Sequence, residues 1–304
     1  MTEDRYRSPL GARYASPAMQ RLWGERYRIG LWRRTWLALA ESEQELGLAI
    51  PDEALAQMRA HLDDADLNAA AAYEKRFRHD VMAHVHHFGD QAPAAKPFLH
   101  LGATSAYVTD NADVLVIRES LRLVLGRLIA VLDAFERFAR THAALPCLAY
   151  THFQPAQLTT VGKRATLWMQ DLGLDVEDLA YRIENIRLRG CKGTTGTQAS
   201  FLELFKGDHA KVRELERRIA EKLGIPRVFP VTGQTYSAQG RRRGPRHPLR
   251  CEPVLRQDGG QTCACCSTRA SCWSRSRATR SAPVRWPTSG TRCGRNGSAG
   301  SPAS

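Results

Sequence analysis

The longest apolar pattern in the chain runs through residues 113–140, and it constrains the fold more than any other feature. Apolar residues recur there at steps of three and four: Val114, Ile117, Leu121, Val124, Leu128, Val131, Phe135 and Phe138. This spacing predicts one uninterrupted α-helix. Roughly 28 residues at 1.5 Å each make a rod about 40 Å long.

A second stripe of the same kind follows after a short turn. Its members are Leu158, Val161, Ala165, Trp168, Leu172, Val176, Leu179, Ile183 and Ile186. Two rods joined by a short turn pack best side by side and antiparallel, and stripes this broad need more than one partner helix. Shorter helical patterns occupy residues 17–46, where Gly47 is a candidate C-cap, and residues 52–61, 66–87 and 208–223. We therefore expect an all-α fold built around a bundle of long helices.

The length and hydropathy of the chain exclude some classes of protein. The 304 residues suffice for two domains or one large one, and 43% of them are hydrophobic. No segment approaches the roughly 18 consecutive apolar residues of a membrane span. The stretch Met1–Arg5 is too polar for a secretory signal. We expect a soluble, cytoplasmic protein with no membrane partner.

The net charge of +13 is concentrated at one end of the chain. Residues 238–304 contain 13 of the 44 Lys and Arg residues but only two acidic ones, Glu252 and Asp258. The same stretch holds six of the eight cysteines and has no Lys, Ile, Phe, Tyr or Met. A basic surface usually indicates a nucleic-acid partner. Here the charge belongs to a segment of unusual composition that begins just after Ser237.

Two histidine-containing stretches carry the strongest chemical signals. Thr151–Gln157 holds His152 and Gln154 at the turn between the rods, where Pro155 is expected to begin the second helix. A turn of this kind gives an imidazole the fixed direction that a proton donor needs. In the helix over 66–87, Arg78 beside His79 is suited to gripping a phosphate or carboxylate.

The same helix contains further histidines, which raises the question of a metal site. His79, His84, His86 and His87 are close in sequence. No pair of them has the i, i+4 spacing together with the carboxylate of a zinc motif. We therefore expect no metal there.

Three other polar segments are candidate anion or ligand sites. Arg13 and Tyr14 lie in a basic, aromatic segment before the first helix. Thr104 and Ser105 precede the long helix, where they either cap it or join its free amides in binding an anion. The loop over 191–201, which includes Lys192, is flexible enough to wrap a polar ligand but lacks the lysine placement of a nucleotide P-loop.

Together, these segments resemble one known family. The similarity is carried by RYRSPLGARYASP, KRFRHDVMAHVH, HLGATSAYVTDN, THFQPAQLTTVGKR, RGCKGTTGTQASF and TGQTYS, in this order across residues 5–237. The chain resembles the adenylosuccinate lyase family of the fumarase/aspartase superfamily. The resemblance implies an N-terminal helical domain over 1–105 and a long-helix bundle domain over 106–237. It also implies a homotetramer in which three subunits build each active site.

The resemblance implies a reaction as well. Members of the family eliminate fumarate from adenylosuccinate, giving AMP, and from succinyl-aminoimidazole carboxamide ribotide in purine biosynthesis. Such an elimination needs an acid for the leaving nitrogen and donors that stabilise the carbanion formed beside a carboxylate. By resemblance His152 is the acid and His79 is a second catalytic histidine.

The resemblance further assigns a set of substrate-binding residues. Arg13 and Tyr14 are expected to bind the substrate phosphate, and Arg78 and Asp80 flank His79 in a phosphate-contacting group. Thr104, Ser105 and Gln234 are expected to hold the succinyl or ribotide portion, and Gln154 and Lys192 complete the set. Neither a metal nor an organic cofactor is implied.

The family's catalytic base is a serine in a signature close to GSSAMxYKRNPMRSER, which this chain does not contain in frame. When residues 281–297 are back-translated and read two bases later, their codons permit GSSAMAYKRNPMRSER. Residues 238–240, read one base later, permit the family's RKV. We hypothesise that residues 238–304 are an out-of-frame translation of a lyase gene, disordered and non-native. This implies an incomplete bundle and an inactive, poorly folding chain.

Two alternatives remain open. Another lyase of the superfamily, acting on argininosuccinate, aspartate or malate, would share the fold, although the phosphate-binding candidates favour a ribotide. Taken at face value, the basic tail would instead belong to a nucleic-acid-binding protein. Its cysteines do not form zinc pairs, and its arginines lack the interleaved aromatic residues that stack on bases.

Overall fold

The computed structural model of the chain describes residues 8–235, and most of that range is helical. The helices are α1 (Pro17–Leu22), α2 (Glu25–Glu45), α3 (Asp52–Ala60), α4 (Leu67–Phe77), α5 (Asp80–Gln91), α6 (Ser105–Thr141), α7 (Val161–Asn185), α8 (Ala199–Leu204) and α9 (His209–Lys222). A π-helical turn (Leu10–Tyr14) precedes α1, and a 3₁₀ helix (Pro93–Phe98) lies between α5 and α6. The strands β1 (Pro146–Thr151) and β2 (Gln154–Thr160) form an antiparallel hairpin between α6 and α7. The segment over residues 238–304 lies outside the described residues.

The two predicted rods are present as α6 and α7. The first is longer than the sequence pattern indicated: α6 has 37 residues and begins at Ser105, because Tyr107, Val108 and Ala112 already bury its first turns against the rest of the chain. The second has 25 residues. The helices approach closely where the chain returns, since a Cβ on Gly162 would lie 2.4 Å from the carbonyl oxygen of Ala139.

The connection between the rods differs from the predicted one. Pro155 does not begin a helix; it lies in β2, and α7 begins six residues later with the Thr160 hydroxyl accepting a hydrogen bond from the Lys163 amide (3.0 Å). His152 and Phe153 form a two-residue turn with φ values of +48° and +60°. Positive φ at both central residues matches the right-handed twist of paired strands, and this favours a hairpin. A proline is tolerated there because both strands of a two-stranded sheet are edges.

Two of the shorter helical patterns are interrupted. The pattern over 66–87 is split between α4 and α5 at Arg78, which takes φ +56°, and His79, which is extended and caps α5. The pattern over 17–46 breaks at Trp23 and Gly24. The predicted end at Gly47 is confirmed, since this glycine has φ +101° and its amide bonds to the carbonyl of Gln44.

The core lies around α2, which is buried on several faces by α3, α6 and α9. Large side chains with almost no exposure fill this core: Trp36, Leu39, Met58, Phe88, Tyr107, Leu188, Phe201, Leu215 and Ile219. Burial of this extent is the main favourable term in folding. It fixes the first half of α6 in place and, with it, the loops that meet there.

The second half of α6, the hairpin and α7 have much less cover. Large apolar side chains are exposed along them: Ile129, Val131, Phe138, Leu145, Phe153, Leu158, Leu167, Leu174 and Tyr181. The stripes are thus wider than the contact between α6 and α7 can bury. In the range 8–235, no helix is long and apolar enough to cross a membrane. The domain boundary between 105 and 106 stays a prediction.

Candidate functional site

The junction between α4 and α5 places Arg78 and His79 together on an exposed corner. Arg78 ends α4 in the left-handed region, which few residues other than glycine adopt without strain. The next residue, His79, turns back to extended backbone and accepts a hydrogen bond from the Met82 amide through Nδ1 (3.4 Å). Asp80 opens α5, and its Oδ1 is 3.4 Å from the same ring nitrogen. Backbone strain of this kind is concentrated at functional sites.

The other ring nitrogen of His79 reaches the start of α6. Nε2 is 3.2 Å from the hydroxyl oxygen of Ser105. In the neutral tautomer whose Nδ1 accepts from the Met82 amide, Nε2 carries the proton and donates to this hydroxyl. The Ser105 hydroxyl hydrogen is then available to a ligand. Two residues 26 positions apart in sequence thereby form one hydrogen-bonding unit.

The N-terminus of α6 adds further donors to this unit. Thr104 is the N-cap of the helix, with extended backbone, but its side chain makes no capping hydrogen bond. The first amides of a helix have no partner within it, and the helix dipole favours an anion at that end. The hydroxyl groups of Thr104 and Ser105 therefore lie at a position suited to an anionic ligand.

His100 is a further polar residue of this corner, and the sequence assigned it no role. It takes φ +64° in the loop before Thr104, and its Nδ1 accepts a hydrogen bond from the Trp36 indole (2.9 Å). Burial lowers the pKa of His100 to about 4, and the charge of nearby His79 acts in the same direction. His100 is therefore neutral at physiological pH. The positive φ of this half-buried histidine indicates a special position, and the sequence alone does not show it.

The loop over 190–200 closes another side of the corner. Its Ser200 hydroxyl donates to the carbonyl of Gly102 (2.6 Å), which ties it to the loop before α6. It also packs against the segment over 231–235, since a Cβ on Gly196 would lie 1.9 Å from the carbonyl oxygen of Thr232. At the far end of that segment, the Thr235 hydroxyl donates to Asp110 of α6 (2.5 Å).

Arg189 is completely buried and connects the loop over 190–200 to the segment over 231–235. Its guanidinium donates to the carbonyl oxygens of Gly190 (3.3 Å), Gly193 (2.9 Å), Gly233 (3.2 Å) and Gln234 (2.7 Å). Burial lowers the pKa of Arg189, and the nearby carboxylate of Asp110 counters that effect. The backbone of Gln234, a predicted substrate-binding residue, is thus fixed, while its side chain is exposed.

Lys192 occupies a different environment from the other predicted ligand-binding residues. Its ammonium group is 2.5 Å from Glu216 of α9, and both side chains are largely buried. Burial raises the pKa of Glu216, while Lys192 opposes this shift. The pair anchors the loop to α9, so the sequence prediction that Lys192 binds substrate stays a prediction.

His152 and Gln154 lie far from this corner within one chain. Both are exposed at the tip of the hairpin, which follows the C-terminal end of α6, whereas Ser105 is its first residue. A 37-residue helix is about 55 Å long. The structure therefore brings His79 and Ser105 together at the start of α6, next to Thr104, but leaves His152 on the hairpin beyond the C-terminal end of that helix.

The remaining predicted residues have their own places. Arg13 and Tyr14 are exposed on the π-helical turn before α1. The neighbouring histidines serve the fold: His86 stacks on Phe77, with ring centroids 4.4 Å apart, and His87 accepts from the Asp66 amide (3.0 Å). No group of three His, Cys, Asp or Glu side chains is positioned to hold a metal ion in the part of the chain that the structure describes.

Comparison with known proteins gives close relatives of the described region. A model of the family described as Lyase matches residues 17–232. The adenylosuccinate lyase of Saccharomyces cerevisiae is 52% identical over 237 residues, which are 77% of this chain and 49% of that protein. That of Schistosoma mansoni is 48% identical over 235 residues, which are 77% of this chain and 49% of that protein. The chain therefore spans about half the length of the curated relatives it matches.

Solved structures show the same fold. A fumarate lyase from Mesorhizobium sp. BNC1 matches with a TM-score of 0.63 at 26% identity, over 72% of this chain and 50% of that one. A 3-carboxy-cis,cis-muconate lactonizing enzyme from Pseudomonas putida gives 0.62 at 24% identity, over 73% of this chain and 50% of that one. These similarities confirm the predicted fold class.

Proposed function

Because the chain belongs to the lyase family whose model matches residues 17–232, we propose that it carries part of a carbon–nitrogen lyase that eliminates fumarate from adenylosuccinate. The same site would act on succinyl-aminoimidazole carboxamide ribotide. The curated relatives named adenylosuccinate lyase, at 48–52% identity, support this substrate over argininosuccinate or aspartate. In this proposal the protein acts in the cytoplasm, in purine biosynthesis.

The hydrogen bond between His79 and Ser105 at the start of α6 is the observation that carries the proposal. Elimination places negative charge on the carboxylate beside the carbon that loses its proton, and fixed donors are needed where that charge develops. The hydroxyl groups of Thr104 and Ser105, next to unpartnered amides, form such a set of donors. A phosphate or second carboxylate would bind on the side of the site that is formed by Arg78, His79 and Asp80.

Proton transfer to the leaving nitrogen is assigned to His152. In one chain this residue lies on the hairpin beyond the C-terminal end of α6, a helix about 55 Å long whose first residue is Ser105. A general acid must come within hydrogen-bonding distance of the atom that it protonates. We therefore propose that His152, with Gln154, enters the site of another copy of the chain, and that the exposed stripes of α6 and α7 pack together in a homotetramer.

The remaining assignments follow the same proposal. Arg13 and Tyr14 would bind the ribotide phosphate, and Gln234 would contact the ribotide or succinyl portion. Lys192 would act through the loop that it anchors rather than by touching the substrate, since Glu216 occupies its ammonium group. The catalytic base would come from the serine signature that the codons of residues 281–297 permit only in the corrected reading frame, and residues 238–304 lie outside the described residues.

Fumarate release tests the proposal directly. The chain and a frame-corrected protein, in which the codons after Ser237 are shifted so that GSSAMAYKRNPMRSER is read, are incubated with adenylosuccinate. Fumarate and AMP are then quantified by chromatography. We expect both products from the frame-corrected protein and little turnover by the chain itself.

Parallel incubations with argininosuccinate and with aspartate test the substrate class. We expect kcat/KM to favour adenylosuccinate by several orders of magnitude, because only this substrate has a phosphate that Arg13 and Arg78 can bind. A preference for argininosuccinate would replace the proposed activity with the other superfamily reaction. Absence of turnover with all three substrates would remove the elimination proposal.

A further inference from the structure

Trp36 contacts the candidate site from inside the core and belongs to no assigned set of site residues. It is 1% exposed and lies in the middle of α2, edge-on to His100, with ring centroids 6.0 Å apart and planes at 84°. This geometry aims its indole N–H along the plane of the indole ring at Nδ1 of His100, 2.9 Å away. Phe88 also packs against the indole, with ring centroids 6.2 Å apart. The donor is therefore held in place by core packing.

An indole nitrogen can only donate a hydrogen bond. The nitrogen that faces it must then be without a proton, so the neutral ring of His100 carries its proton on Nε2. Double protonation of His100 would set two N–H groups against each other across 2.9 Å. The hydrogen bond thus selects one tautomer and opposes the imidazolium, independently of the burial that lowers the pKa of His100.

Nε2 of His100 lies on the side of the ring away from Trp36. Among residues 8–235, no hydrogen bond engages that nitrogen, whereas Nδ1 is committed to the core. The charge of His79 lowers the pKa of His100, which shows that the two rings are near each other. Thr104 and Ser105 follow His100 in the same loop. A neutral N–H donor is therefore held in the loop that leads to the two hydroxyl groups at the start of α6.

We propose that Trp36 is the positioning residue that holds His100 as a neutral imidazole with its proton on Nε2, so that His100 offers an N–H donor to the ligand of the His79–Ser105 site. The functional half of this statement rests on the proposed lyase activity. The tautomer itself is a property of the folded chain and can be measured without substrate.

Nitrogen-15 NMR of the 304-residue chain, labelled only at histidine, tests the tautomer. The His100 resonances are identified by their loss in His100→Gln. We expect Nδ1 to be unprotonated, Nε2 to be protonated, and neither resonance to titrate between pH 5 and pH 8. A protonated Nδ1 in the unsubstituted chain, or a ring that becomes doubly protonated in that range, would overturn the proposal.

Two matched variants test the role of Trp36. Trp36→Phe keeps an aromatic ring but removes the donor, whereas Trp32→Phe makes the same change one turn away on α2, at an indole nitrogen without a hydrogen-bond partner among residues 8–235. We expect Trp36→Phe to shift the His100 resonances towards mixed tautomers or to bring their titration into the measured range. Trp32→Phe should leave them unchanged. Identical His100 spectra in both variants would contradict the assignment.

Fumarate release by the frame-corrected protein adds a functional readout. We expect Trp36→Phe to lower kcat about tenfold or more, while Trp32→Phe stays within about twofold. If kcat is unaffected but the tautomer changes, Trp36 does not position a functional donor. If the parent protein releases no fumarate, the lyase proposal fails, whereas the spectra still decide whether Trp36 sets the state of His100.

Discussion

Removing the guanidinium of Arg189 should loosen two loops of the candidate site at once. All three of its nitrogens donate to carbonyl oxygens, and these come from both the loop over 190–198 and the segment over 231–235. Hydrogen bonds from a charged donor contribute about 1.5–3 kcal/mol each. Their sum overstates the effect, because the substitution also removes the cost of burying the charge.

The closer comparison is the loss of one member of a buried charged network, which costs about 3–5 kcal/mol. We therefore expect Arg189→Met to lower the free energy of opening these loops by about 4 kcal/mol. Arg189→Lys, which keeps the charge but has at most three donors on one atom, should cost about half as much. Since 1.4 kcal/mol corresponds to a factor of ten, amide exchange should accelerate several-hundred-fold in the Met variant.

Hydrogen–deuterium exchange gives the readout at defined amides. Three loop amides are hydrogen-bonded in the fold: Gly190 to Asn111 (3.1 Å), Cys191 to Glu216 (3.2 Å) and Gln198 to Lys192 (2.9 Å). Arg33→Met is the control, because Arg33 is equally buried but bonds to other parts of the chain. It should reduce overall stability without a selective effect on these amides. Equal protection of the loops in Arg189→Met and in the parent would refute the reasoning.

Three further predictions concern other parts of the structure. Burial raises the pKa of Glu43 to about 9, well above its unfolded value, so this carboxyl group takes up a proton on folding and the stability of the fold falls as pH rises between the two values. In urea unfolding at pH 7 and pH 9, Glu43→Gln should reduce this loss of stability with pH. The same loss in the variant and in the parent would contradict the prediction. In Gly196→Ala, the new Cβ would clash with the Thr232 carbonyl at a residue with φ +85°, and the free energy of unfolding should fall by roughly 3 kcal/mol in thermal unfolding. Gly173→Ala places its Cβ in open space on α7 and should raise that free energy by about 0.5–1 kcal/mol. Equal effects of the two substitutions would show that the loops do not pack as described. His152→Ala in the frame-corrected protein should lose most turnover while its circular dichroism is unchanged, because His152 is exposed on a turn; near-normal turnover would remove it as the acid.

The rods were predictable because a helical stripe is a local property of sequence. Val114 and Phe138 lie on the same repeating pattern, although in the described structure only Val114 is buried. Two of the errors concern backbone direction. Arg78 takes a left-handed conformation without glycine or proline to signal it, and Pro155 marks the second residue of a strand where it was interpreted as a helix start.

The site was partly predictable for a related reason. His79 and Ser105 were identified by residue type and motif, and the fold brings them within hydrogen-bonding distance. Trp36 and Arg189 were missed because their roles depend on partners 64 and 45 residues away in sequence. Nothing in the sequence around an apolar aromatic residue or a single arginine distinguishes a supporting residue of a site from an ordinary core residue.

Mixing two inactive variants tests most directly whether the site is shared between copies. His79→Ala and His152→Ala are each prepared in the frame-corrected protein, dissociated, combined and reassembled, and fumarate release is measured. If His79 and His152 meet only between copies, some sites in the mixed assembly contain both histidines, and activity absent from either variant should return. Mixed assemblies with no recovered activity, despite exchange of subunits, would contradict a composite site.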